Sequence, residues 1–122
     1  MKIIKEKISI ITNYQHKQLA SGRWFKMPLA EQLANVGSEV ERTILWKNKN
    51  NRDYSDRALE RALELLDLTV EDIKNKTRLK EILRLREALV DYFLFDNQFS
   101  SSDELWRKYF YPFNFAARRK WQ

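Results

Sequence analysis

Carboxylates, a single histidine and a run of rings beside cations are the side chains of this sequence with chemistry to offer. Glu64 and Asp67 stand three apart in ELLD, a spacing that turns two carboxylates to one side of a helix and suits magnesium-assisted hydrolysis of a nucleotide. The neighbouring residues argue otherwise. Both acids fall opposite the apolar stripe Ala58, Leu59, Ala62 and Leu66, beside Arg57 and Arg61, which predicts a solvated charged face. Glu39 and Glu41 in GSEVER are two apart and diverge around a helix, so they complete no metal site. His16 has Asn13 three residues before it, where a dimetal bundle places a glutamate. Without cysteine there is no thiolate nucleophile and no usual zinc site. Gly22 and Gly37 are isolated, so no phosphate-cradling loop is spelled out. No catalytic residue, metal or cofactor is assigned, and the sequence leans away from an enzyme.

Two other arrays carry information. Arg86 lies inside an apolar stripe of Leu79, Leu83, Leu89, Val90 and Phe93, so its guanidinium needs a partner or a ligand. Glu39 and Glu41 are the expected partners, either in a buried charge pair or around a polar pocket for a phosphate or carboxylate. The second array is the closing stretch KYFYPFNFAARRKWQ, with six rings and four cations in fifteen residues. On a helix, Tyr109, Phe110 and Phe113 join the core, while Tyr111 and Phe115 project towards Arg107 and Arg118, with Arg119, Lys120 and Trp121 beyond. The outer rings either pack against the N-terminal segment or a second subunit, or form a surface for a partner. Single-stranded nucleic acid is one such partner, since rings stack on bases while cations meet phosphates.

The elements that position these arrays follow from composition and periodicity. Two glycines, two prolines and 33% charged residues in 122 favour long amphipathic helices over a turn-rich sheet. The expectation is an all-α, compact bundle of about four main helices in one domain over residues 1–122, with residues 1–27 an additional N-terminal element. Leu29, Leu33, Val36, Val40 and Ile44 mark a helix from Pro28 to Lys47, in which Gly37 predicts a close helix crossing. A second helix, capped by Ser55 or Asp53, runs to about Leu68, and a third from about Thr77 to Phe95. Ser102 caps a fourth, which Pro112 should kink or divide. The net charge of +6 is uneven: residues 1–27 hold six basic and one acidic side chain, residues 54–75 three basic and six acidic. No apolar run reaches the roughly 18 residues of a membrane span, and the lack of cysteine suits the cytoplasm. The uneven charge permits contact with nucleic acid or an acidic partner; a protein partner or self-association is expected, and no membrane.

The runs LAEQLANVGSEVERTILWKNKNNRDYSDRALERALELLDLT and RLKEILRLREALVDYFLFDNQFSSSDELWRKYFYPFNFAAR resemble a family of small uncharacterised helical proteins from bacteria and archaea, over about residues 29–118. That resemblance implies a helical fold and carries no activity, cofactor or functional residue. A looser likeness is to the HEPN helical bundles, some of which are ribonucleases with four to six residues between an Arg and a following His. Ser9, Ile10 and Ile11 hold those positions before His16, so that activity is not implied here.

Overall fold

Pro28 determines where the first helix begins. Its extended backbone (φ −65°, ψ 157°) cannot belong to the helix, and its carbonyl accepts the amides of Glu31 and Gln32. The computed structural model describes residues 22–119, the last of them by its backbone alone. They form an all-α bundle: α1 (Leu29–Asn48), α2 (Arg52–Glu71), α3 (Leu79–Leu94) and α4 (Asp103–Arg119), with 3-10 segments at Trp24–Lys26 and Ile73–Arg78 and no strand among the described residues. No helix among them is long and apolar enough to cross a membrane. Residues 1–21 of the expected N-terminal element, His16 among them, and Lys120 and Trp121 lie outside the described residues.

The α1–α2 reversal is tighter than the polar KNKNNRDYS suggests. Asn50 takes a left-handed backbone (φ 60°) while its amide bonds Lys47 O and that of Asn51 bonds Trp46 O, a pattern that satisfies the last carbonyls of α1. Asn51 then caps α2 by accepting the Tyr54 amide at 3.1 Å, in place of the expected Ser55 or Asp53. Ser55 is buried instead and donates to Thr43 O at 3.0 Å, tying α2 to α1.

α1 packs along both α2 and α4, and α3 lies chiefly against α2 and the second 3-10 segment. Val36, Val40 and Ile44 meet Leu59, Leu63 and Leu66 in the core, which Leu85, Leu89, Trp106 and Phe110 extend. Leu83, expected in the core stripe of α3, is 46% exposed, and Leu85 takes its place. α4 continues through Pro112 as one helix. Pro112 faces solvent, while Trp106 and Phe110 hold the preceding turns to the core. Gly37 marks the α1–α4 crossing: a Cβ there would stand 2.9 Å from Phe110.

The segment between the second and third helices expected from sequence anchors the fold. Trp24 is fully buried and its indole donates to Thr69 Oγ1 at 3.1 Å. Gln32 donates to Trp24 O at 3.0 Å and to Asp72 Oδ2 at 2.8 Å, and Asn75 donates to Gln32 Oε1 at 2.9 Å and Thr69 O at 3.0 Å. Each of these buried polar groups thereby recovers the hydrogen bonding it loses on leaving water.

Candidate functional site

The outer face of α4 is the most distinctive surface. Ser102 starts the helix by accepting the Leu105 amide at 3.1 Å, which sets the phase of every later residue. Trp106 and Phe110 turn inward, and Tyr111 and Phe115 stay 66% and 52% exposed. Their ring planes are 24° apart with centroids 6.4 Å apart. Arg118 is exposed on the same side, and Arg107 bonds Glu41 of α1 at 3.0 and 3.1 Å. Those hydrogen bonds raise the Arg107 pKa above its ordinary value.

Beside this face a groove of about 240 Å³ runs between α1 and α4. Gly37, Val40, Ile44 and Phe110 give it apolar walls, and Glu41, Arg107 and Tyr111 form its polar edge. Gly37 permits the close approach that brings the two helices together here. Trp106 also lines the groove, and its buried Nε1 has no hydrogen-bond partner among the described residues. Asn114 is shared with a second hollow of about 280 Å³ that extends the seam towards Ala117 and Arg118.

The expected Arg86 pairing is corrected by the packing order. Arg86 donates to Asp67 Oδ1 at 2.7 Å and to Oδ2 at 3.3 Å, because α3 lies against α2. Glu39 and Glu41 belong to α1 and turn elsewhere. Glu39 is buried and accepts from Arg61 at 2.5 Å and from Arg42, while Glu41 holds Arg107. The solvated face expected around ELLD is corrected at Glu64, while Arg57 is exposed and the Asp67 side chain keeps 40% of its surface exposed. Glu64 is fully buried, as are Leu63, Leu65, Leu66 and Leu68 around the same turns, and Asp67 is engaged by Arg86. Among the described residues no three His, Cys, Asp or Glu side chains gather as a metal site.

One polar cluster escaped the sequence reading. Lys47 Nζ donates to Asp103 Oδ1 at 2.7 Å and to Tyr92 Oη at 3.1 Å, Tyr92 donates to Asp103 Oδ1 at 2.6 Å, and Asn48 donates to Oδ2 at 3.2 Å. Burial opposes the Asp103 charge, but these donors outweigh it and lower its pKa. Burial, with Asp103 as acceptor, raises that of Tyr92. Asp103 stands in the first turn of α4, whereas Lys47 and Tyr92 are 56 and 11 residues away in the chain, so no local pattern links them. Tyr109 is pushed up to about 12, first by burial and then by Glu81. The cluster thus pins both ends of the α3–α4 connection to α1.

No protein-family model, curated protein or solved structure matches this chain.

Proposed function

We propose that this chain is a non-enzymatic interaction module that docks a protein partner on the outer face of α4 and the adjoining α1–α4 groove. The observation that carries the reading is the exposed Tyr111–Phe115 pair on a helix whose opposite face already fills the core. A single exposed ring needs no explanation, but two neighbouring rings with exposed Pro112 between them in the chain make an apolar patch. Interface centres are rich in Tyr, Phe and Arg, with a polar rim that Arg107 and Glu41 would supply here. Selection of displayed random peptides on the immobilised protein tests the proposal. A shared peptide motif is expected on the wild type and not on a Tyr111→Ser/Phe115→Ser variant; no enrichment on either would refute it.

Single-stranded nucleic acid is the second reading, favoured by Arg118 beside two rings that could stack on bases. Glu104 in the same face opposes phosphate, and Arg107 is already engaged by Glu41. Of the other cations named from sequence, only the Arg119 backbone is described. This reading expects affinity for single-stranded RNA that falls with salt, by about −0.7 in log affinity per phosphate contacted, and weakens in Arg118→Ala. Affinity indifferent to salt and to that substitution would discard it. The carboxylate–metal hydrolase is the least supported, since Asp67 is paired with Arg86.

A further inference from the structure

The residues along the outer face of α4 identify the occupant. Glu104, Arg107, Tyr111, Phe115 and Arg118 follow one another at steps of three, four, four and three, and all five are exposed. These steps keep them on one side of the helix. They also read the same from either end, with Tyr111 at the centre, while the chemistry is complementary across that centre. Seven residues before Tyr111 stands an acid, and seven after it a base; four before stands a guanidinium, and four after it a ring.

We infer that a second copy of this chain docks there, with the two α4 helices antiparallel about a two-fold axis at Tyr111. The inference rests on the interaction reading above and names its partner. In that arrangement positions equidistant from Tyr111 face each other. Glu104 meets the partner's Arg118, Arg107 meets the ring of the partner's Phe115, and the two Tyr111 rings meet on the axis. The two-fold repeats each contact, as an isologous interface requires. A parallel pairing would set Glu104 against Glu104 and Arg118 against Arg118, so charge alone selects the antiparallel one. The Glu41 bonds hold Arg107 in place before association, which reduces the entropy lost when it meets the partner's ring. A contact through one helix from each copy is smaller than the roughly 1,200–2,000 Å² of stable interfaces, so the dimer forms and dissociates with concentration.

The absence of cysteine makes the geometry directly readable. Tyr111→Cys places a lone thiol at the axis, where mild oxidation should give a covalent dimer, while Lys76→Cys in the exposed part of the second 3-10 segment should not. Sedimentation of the wild type should show a concentration-dependent dimer. Glu104→Arg or Arg118→Glu alone should weaken it about tenfold, and the double exchange should restore it, because every pair then regains opposite signs. A wild type monomeric at all concentrations overturns the two-fold pair. If displayed peptides are still selected, the interaction reading survives that result; if none are, both fall. A dimer indifferent to the charge exchange, or linked equally well through Lys76→Cys, would place association on another face and overturn the inference.

Discussion

Asp103 illustrates how a single residue ties stability to pH. Burial disfavours its charge, yet the donors Lys47, Tyr92 and Asn48 lower its pKa below the ordinary 3.8. A carboxylate depressed on folding contributes stability that is complete above its unfolded value and lost as pH falls through its folded one. Asp72 behaves alike, with burial outweighed by Lys74 and Gln32. Asp103→Asn should therefore destabilise the fold by about 1–3 kcal/mol at neutral pH. The difference should shrink at acid pH, as the medium falls from the ordinary 3.8 through the lower folded value and the wild type becomes protonated too. Urea melts at the two pH values check this, and an equal loss at both would contradict it. At the same scale, the place of Arg86 in an apolar stripe predicted a paired guanidinium, but the identity of its partner depended on which helix lies alongside.

At the scale of elements, Gly37 and Pro112 make opposite predictions. A methyl group at Gly37 would stand 2.9 Å from Phe110, at the crossing of two helices fixed by core residues on either side. Gly37→Ala gains helix propensity but should lose about 1–3 kcal/mol net through overpacking, seen as a lower denaturation midpoint. A neutral or stabilising result would show that the crossing can open freely. Pro112 sits exposed within a continuous α4 and withholds one amide from the ladder. Pro112→Ala restores that donor and should stabilise by about 1–3 kcal/mol. A loss of stability would mean that the ring itself supports the fold. The sequence located the crossing residue and the breaker. It did not reveal that packing on both sides of Pro112 keeps the helix whole.

Across the whole molecule, Trp24 joins the chain before α1 to the end of α2, and Gln32, Asp72 and Asn75 extend that bond network to the second 3-10 segment. Trp24→Ala removes both the ring and a buried donor, and should destabilise by about 3–5 kcal/mol. Denaturation followed by circular dichroism measures it, and a loss under about 1 kcal/mol would show that this network is dispensable. The same spectrum should be dominated by helix.

The sequence by itself determined the all-α bundle, the number of main helices and most of the core positions of α1 and α2, because apolar periodicity is a local property that burial rewards directly. It also separated inward Phe110 from outward Tyr111 and Phe115, since helical phase alone sets those directions. Only the tertiary structure decided the charge partners and the burial of Glu64. α2 lies between α1 and α3, so a face that looks solvated on an isolated helix is covered, and Arg86 finds Asp67 while Glu39 finds Arg61. Pairing depends on which elements are adjacent in space, and a one-dimensional pattern of polar and apolar residues does not encode that adjacency.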